Sequence, residues 1–225
     1  MTTNDAESTA TRVPERRWPM ALAVVAAIVL QVITPHTGRL TFWWVFPLLE
    51  LAALVVLIIR DPGRIDRRTR AARRATIVLI VLLTIGTLGA LLVLILDILD
   101  KTYAPEVGAT ALLGRGAALW VTNVVVFSLW FWELDRGGAA ERAAGSNIPA
   151  SFGFPEDSMP ELAPDDWVPR YADYLYLSFT NATAFSPTDT LPVRTWSKMA
   201  MMIESVISLL TAILVIARAI NVLPG

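Results

Sequence analysis

The sequence predicts an all-α membrane protein with about five transmembrane helices plus one shorter, re-entrant or interfacial half-helix. Apolar residues make up 55% of the 225-residue chain, and charged residues only 17%. The mean hydropathy is +0.54. A soluble domain of this size needs more polar surface, so the excess apolar residues are expected to face lipid. Several apolar runs also approach the roughly 20 residues that a helix needs to cross a bilayer.

The composition argues against several classes of function. The chain has no Cys, which excludes disulfides and thiolate sites, and its net charge of −1 gives no reason to expect nucleic-acid binding. The single His, His36, has no carboxylate cluster near it in sequence, so neither a His-based metal site nor a catalytic triad can be proposed. We therefore predict no enzyme activity, no cofactor and no metal. A membrane-embedded enzyme built on Glu50, Glu204 and Asp189 is the remaining enzymatic alternative.

Residues 1–17 form a polar tail with arginines directly before the first apolar run, Trp18–Thr34. That run continues to Pro35 without a small-residue cleavage site, and a second span, Thr41–Ile59, follows at once. We therefore predict a retained signal anchor preceded by a mostly disordered cytoplasmic tail.

Seven arginines lie in residues 60–74, between the second and third spans, with only Asp61 and Asp66 against them. The positive-inside rule places such a short loop in the cytoplasm. The N-terminus is then also cytoplasmic, and we predict a multi-pass protein of the cell membrane. Binding of anionic lipid by this loop is the alternative interpretation.

Two further spans, Ala75–Leu99 and Ala117–Trp132, complete a predicted unit of four transmembrane helices over residues 18–134. Residues 135–169 then become rich in Gly, Pro, Ala and acidic residues, without a helical or strand period, which predicts a surface loop. Its acidity can concentrate cations near a pore mouth, or it can simply be a solvated loop.

Residues 170–225 predict a pore-loop arrangement of half-helix, break and full span. The half-helix, Arg170–Thr183, is too short to cross a bilayer, and its polar C-terminal end can favour a cation. A turn follows, and the last span is Met199–Leu223. The candidate pore-loop residues are Thr180, Asn181, Thr183, Ala184, Phe185, Ser186, Pro187, Thr188 and Asp189.

A polar stripe runs along the last span. Residues repeating every seven positions share one helical face, because seven residues make about two turns. A further charged residue, Glu50, lies in the second span. Such groups either line a pathway or hold helices in register through partners inside the protein. The stripe consists of Ser197, Glu204, Ser208, Thr211 and Arg218.

The stretch from Ser178 to Asp189, with Leu191-Pro192-Val193 and Glu204, resembles the pore helix, filter and inner helix of bacterial two-helix potassium channels. The resemblance implies a pore-loop unit in an oligomer. The segment Ala184-Phe185-Ser186-Pro187-Thr188 replaces the filter motif Thr-Val-Gly-Tyr-Gly, so both filter glycines are missing. Those glycines let successive carbonyls point at the ion, so we predict no potassium selectivity.

The same stretch, with the segment from Trp132 to Gly138 and with Phe154-Pro155, is also similar to an uncharacterised bacterial integral-membrane family called domain of unknown function 1345. This second resemblance covers most of the chain. It implies a fold and no activity.

The topology count and the channel resemblance disagree. Potassium channels place the pore helix on the outer side, whereas the arginine-rich loop places the break after the half-helix on the cytoplasmic side. A crossing hidden in Lys101–Gly116, an inverted pore unit, or a resemblance of shape alone would each reconcile the two.

Two functions follow from these observations. The first is a channel-like protein that permeates ions or small solutes, with a cation as the candidate permeant. The second is a non-conducting membrane scaffold or assembly partner that uses the half-helix for packing. The expected partners are the lipid bilayer and either further copies of the chain or another membrane protein.

Overall fold

The computed structural model describes residues 15–34, 43–60, 70–99, 108–164, 167–184 and 189–222. These residues are mostly helical, with one pair of very short antiparallel strands, β1 and β2. Short helical turns lie at Asp135–Gly137 and Pro160–Leu162. In chain order the elements are α1 (Trp18–Ile33), α2 (Val45–Arg60), α3 (Arg70–Leu99), α4 (Ala109–Leu134), α5 (Ala139–Ala143), β1 (Phe152–Gly153), α6 (Pro155–Ser158), α7 (Tyr171–Ala184), β2 (Leu191–Pro192) and α8 (Thr195–Val222).

Three of these helices are long and apolar enough to cross a membrane, namely α3, α4 and α8. The first two helices, α1 and α2, have 16 residues each and fall short of that length. The membrane class predicted from composition is therefore supported, whereas the count of five spans is not confirmed.

Helix α4 occupies the centre of the bundle. About 67% of its most apolar stretch is buried, against 33% for α3 and for α8, and it packs against α1, α3, α7 and α8. Its contact with α8 is close at Gly116, where an added Cβ would lie 2.6 Å from a methyl carbon of Val215. The helices around α4 form two groups, α1–α3 and α7–α8, which also contact each other through α1 with α7 and through α3 with α8.

The predicted start of the fourth span, Ala117, is wrong by eight residues, because α4 begins at Ala109. The early part of the helix contains Arg115, a charge that lowers the local hydropathy. Arg115 is nevertheless buried, because its Nη2 lies 2.9 Å from Oδ2 of Asp97 on α3. A buried charge is tolerated in such a helix when it has a charged partner of this kind.

Helices α3 and α4 form an antiparallel hairpin that is tied at both ends. Asp97 pairs with Arg115 at one end, and Arg73 lies 3.3 Å from Glu133 at the other. Of the segment Lys101–Gly116, in which a hidden crossing was considered, the part from residue 109 onwards belongs to α4, and residues 101–107 lie outside the described residues. The end of α4 that leads towards α7 thus lies beside the arginine-rich start of α3.

Residues 135–169, which we predicted as a surface loop, contain short regular elements. This segment, which we call the cap, contains α5, β1 and α6, and β1 pairs with β2 through Phe152 and Pro192. Phe152 and Phe154 are both buried. The ring centroid of Phe152 lies 5.0 Å from that of Phe131, and the ring centroid of Phe154 lies 5.4 Å from that of Tyr174. These two aromatic side chains of the cap therefore pack against α4 and α7.

Candidate functional site

The half-helix α7 packs antiparallel along α4, starting from the cap. Tyr171 Oη lies 2.9 Å from Ser128 Oγ near the start of α7, and Phe179 packs edge-on against Trp120 at 5.7 Å further along. A 14-residue helix is about 21 Å long, so α7 is too short to cross a hydrocarbon core of roughly 30 Å. The predicted half-helix is thus present, shifted by one residue at each end.

A buried polar cluster joins α4, α7 and α8 around Glu204. Glu204 is 0% exposed, and its Oε2 accepts a hydrogen bond of 2.7 Å from Asn181 Nδ2. Its Oε1 is hydrogen-bonded to the hydroxyl of Ser178, which also lies 2.7 Å from the carbonyl oxygen of Val124. Asn181 donates in addition to the carbonyl oxygen of Met201 at 3.0 Å. We call Glu204, Ser178, Asn181, Asn123 and Ser208 the Glu204 cluster.

Asn123 is the member of this cluster that sequence reasoning missed. Its Nδ2 donates to Ser208 Oγ at 3.0 Å and to the carbonyl oxygen of Glu204 at 3.3 Å. Its Oδ1 is buried and has no hydrogen-bond partner among the described residues. The signal was available, since an amide in the middle of an apolar span is a candidate for interhelical hydrogen bonding.

The polar stripe of α8 faces the interior of the protein. Ser197, Glu204, Ser208 and Thr211 are all buried, whereas Arg218 is half-buried. The hydroxyl of Ser197 contacts the carbonyl oxygen of Ser151 in the cap at 3.1 Å, and Thr211 bonds within its own helix. Of the stripe, Glu204 and Ser208 therefore join one cluster, and Ser197 belongs to the cap contact.

The pore-loop candidates are spread over different surroundings. Asn181 belongs to the Glu204 cluster, while the hydroxyls of Thr180 and Thr183 donate to carbonyls of their own helix. Ala184 is exposed, and so is Asp189, which accepts a hydrogen bond of 3.3 Å from Tyr176. The remaining candidates lie outside the described residues; they are Phe185, Ser186, Pro187 and Thr188.

Glu50 lies on α2 beside Gln31 of α1 and Gly86 of α3, apart from the Glu204 cluster. It is 0% exposed, and Gln31 Nε2 donates to its two oxygens at 3.1 and 3.3 Å. Gly86 allows this approach, because an added Cβ would lie 3.0 Å from Glu50 Oε1. Glu50 and Glu204, the two carboxyl groups predicted within the spans, therefore have no hydrogen-bond partner in common.

A second polar cluster, which the sequence did not predict, lies where the cap meets the bundle. Asp135 is 0% exposed and accepts hydrogen bonds of 2.6 Å from both the Ser151 N–H and the Tyr174 hydroxyl. The guanidinium of Arg142 donates to the carbonyl oxygens of Trp132 and Asp135 and lies 5.0 Å from the centre of the Tyr174 ring.

Glu15, near the end of the N-terminal tail, is part of this second cluster, whereas residues 1–14 of the tail that we predict to be mostly disordered lie outside the described residues. Glu15 accepts hydrogen bonds from the backbone N–H of Tyr171 at 2.6 Å and from Trp132 Nε1 at 2.9 Å. Its Oε2 lies 3.8 Å from Nη2 of Arg142. A carboxylate at the first residue of α7 also interacts favourably with the helix dipole.

Glu15 predicts a pH dependence of stability. Burial raises its pKa above the ordinary value of 4.5, although Arg142 and the two hydrogen bonds act in the opposite direction. The folded state then binds more protons than the unfolded state, so stability falls as pH rises from about 4.5 through the raised pKa. We expect the unfolding temperature of the wild-type protein in detergent, measured relative to Glu15→Gln, to decrease from pH 4 to pH 7. A difference that stays constant or increases over this range would contradict the assignment.

Comparisons with known proteins leave the site to be interpreted from its geometry. The chain matches no protein-family model, no curated protein and no solved structure. Among the residues described by the structure, no group of three or more His, Cys, Asp or Glu is arranged to hold a metal ion.

Proposed function

We propose that this chain is a non-conducting membrane protein that acts as a scaffold or assembly partner, with α7 as a packing element. The observation that carries the proposal is the state of Glu204, which is fully buried and hydrogen-bonded to Ser178 and Asn181 of the same chain. A group that lines a permeation pathway must face water or the permeant. Glu204 instead faces the helices of its own chain.

The packing around α7 supports this proposal further. Tyr171, Tyr174 and Leu177 are buried, so one side of the half-helix is covered along its length by α4, α8 and the cap. Conduction past this side would require these side chains to leave their contacts. A half-helix that is fixed in this way serves to hold α4 and α8 together.

For the topology, we propose five spans with the N-terminus and the cap in the cytoplasm. A helix of 16 residues is about 24 Å long, which is shorter than a hydrocarbon core of roughly 30 Å. The membrane can thin locally, or flanking residues can adjust, to accommodate this difference in length. The arginines at the start of α3, on the same end of the bundle as the cap, support the orientation.

A second candidate function is a pore formed by several copies of the chain. It is favoured by one observation, the exposure of Thr183 and Ala184 at the end of α7 together with the exposure of Asp189. A helix C-terminus carries a partial negative charge, so a ring of such ends with nearby carboxylates can attract cations. In this arrangement the pathway would run between chains, and the Glu204 cluster would remain a packing contact.

Flux through reconstituted vesicles separates the two functions. We expect vesicles that contain folded, monodisperse protein to take up K⁺ and Na⁺ no faster than protein-free vesicles. Cation flux that is reduced by Asp189→Asn would overturn the non-conducting assignment and support the pore. Glu161→Gln is the matched control, since it removes an exposed acidic charge from the cap.

The assembly role needs a separate measurement in native membranes. Phe179 on α7 and Met202 on α8 are both exposed on the bundle surface. A photo-crosslinking residue at either position is expected to give a discrete adduct with a second copy or with another membrane protein. Labelling of lipid alone from both positions would remove the scaffold proposal.

A further inference from the structure

A cavity of about 110 Å³ lies among α1, α2, α3 and α4. Its wall includes Leu30 from α1, Phe46 from α2, Val93 from α3 and Leu119 from α4, and Trp43 stands at the start of α2. The cavity is separate from the Glu204 cluster, which lies on the α7–α8 side of α4. The cavity takes no part in either of the two functions considered above.

The chemistry of the wall favours an apolar occupant. Most of the lining side chains are apolar, and the polar ones already have partners within the protein. A trapped water needs two to four polar partners, and this wall offers few uncommitted groups. The polar side chains of the wall are Gln31, bonded to Glu50; Thr34, bonded to the Leu30 carbonyl; Thr87, bonded to the Leu83 carbonyl; Arg115, paired with Asp97; and Thr122, bonded to the Ala118 carbonyl.

Small residues on α3 create the space and leave it accessible from the surface of the bundle. Gly86, Gly89 and Ala90 occupy one face of this helix and all line the cavity. A Cβ added at Gly89 would meet no atom within 4 Å. Ala90 lines the cavity and is itself exposed, so the cavity opens to the surface of the bundle beside α3. Since α3 is long and apolar enough to cross a membrane, that surface is in contact with hydrocarbon.

We propose that this cavity binds part of an acyl chain of a membrane lipid. An engineered apolar cavity of about 150 Å³ binds benzene, so a cavity of this size suits a few methylene groups. Acyl chains are the apolar species present at the open side of α3. Packing in the cavity gives the chain dispersion contacts with atoms that would otherwise face a void.

Fluorescence quenching by brominated lipids tests the proposal through Trp43. The full chain is reconstituted in phosphatidylcholine vesicles with bromine on the acyl chains, and the contribution of Trp43 is obtained by subtracting the signal of Trp43→Phe. We expect this contribution to be quenched, and the quenching to fall at least twofold in Gly89→Leu, which fills the cavity. Gly114→Leu is the matched control: Gly114 is a helical glycine of α4 with no atom within 4 Å of its added Cβ, and it does not line the cavity.

Three outcomes would overturn the proposal: unquenched Trp43 emission, equal quenching in Gly89→Leu and wild type, or quenching by aqueous acrylamide that Gly89→Leu abolishes. The last outcome would identify a water-filled cavity. Ala90→Leu, at the rim, provides the same test if Gly89→Leu does not fold. None of these outcomes bears on ion flux, so this inference and the proposed function fail independently.

Discussion

Replacing Asp135 with alanine is expected to lower the free energy of unfolding by about 3–5 kcal/mol, the range found when one partner of a buried charged pair is removed. The carboxylate is 0% exposed and accepts from the Ser151 N–H and the Tyr174 hydroxyl, both at 2.6 Å. Arg136 Nε lies 3.4 Å from Oδ2 of Asp135. The substitution leaves these donors buried without an acceptor, and an unsatisfied buried polar group costs more than an average hydrogen bond contributes.

The same substitution is expected to loosen the cap. Asp135 connects the end of α4 with Ser151, which precedes β1, and with Tyr174 on α7. Limited trypsin digestion in detergent, followed by mass spectrometry, should therefore show faster cleavage at Arg142, which is buried in the wild type. Thermal unfolding in the same detergent gives the loss of stability.

Asp157→Ala is the matched control for Asp135→Ala. Asp157 also contacts Arg136, at 2.6 Å, and accepts from the Phe154 N–H at 3.0 Å, but its side chain is 31% exposed, so water can replace the lost contacts. We expect a loss of about 1 kcal/mol, the upper end for exposed ion pairs. Equal unfolding temperatures for the two variants, with Arg142 protected in both, would show that Asp135 does not hold the cap.

The sequence predicted best the features whose signals are local. The half-helix was placed within one residue of α7 at each end because Pro169 precedes it in the sequence and turn-forming residue types follow it. The seven-residue spacing of Ser197, Glu204 and Thr211 indicated a common face, and all three are buried. Whether that face lines a permeation pathway or packs against other helices depends on the elements that face it. The sequence of a single helix does not contain that information.

The errors arose where a partner is distant in sequence. The start of α4 was missed because the charge of Arg115 is neutralised by Asp97 on another helix. The contacts of Glu15, in a tail predicted to be mostly disordered, were not foreseen because its partners, Trp132 and Tyr171, lie more than a hundred positions further along the chain. The cap showed no period because its helices have at most five residues, which is too short for a periodic pattern to be recognised.

Asn181→Leu is expected to destabilise the protein by about 1–3 kcal/mol, the cost of leaving a buried acceptor without its donor. Asn181 donates to Glu204 Oε2 at 2.7 Å and to the Met201 carbonyl at 3.0 Å, and it is 2% exposed. Thr180→Val is the matched control on α7, because the hydroxyl of Thr180 bonds only to carbonyls of its own helix. It should change the free energy of unfolding by no more than about 0.5 kcal/mol. Equal losses for the two variants would contradict a tie between α7 and α8.

Substitutions of Glu204 itself distinguish a packing contact from a charged site. The Ser178 hydroxyl has one proton and lies within reach of two acceptors, the Val124 carbonyl and Glu204 Oε1. If that proton goes to Val124, the group at position 204 must donate to Ser178 while it accepts from Asn181, and the amide of Glu204→Gln can do both. We therefore expect Glu204→Gln to unfold near the wild-type temperature and Glu204→Leu to lose stability. The double variant with Asn181→Leu should lose less than the sum of the two single changes, because each has already removed the other's partner. Strict additivity would mean that Glu204 and Asn181 are not coupled, and the packing role proposed for α7 would lose its central contact.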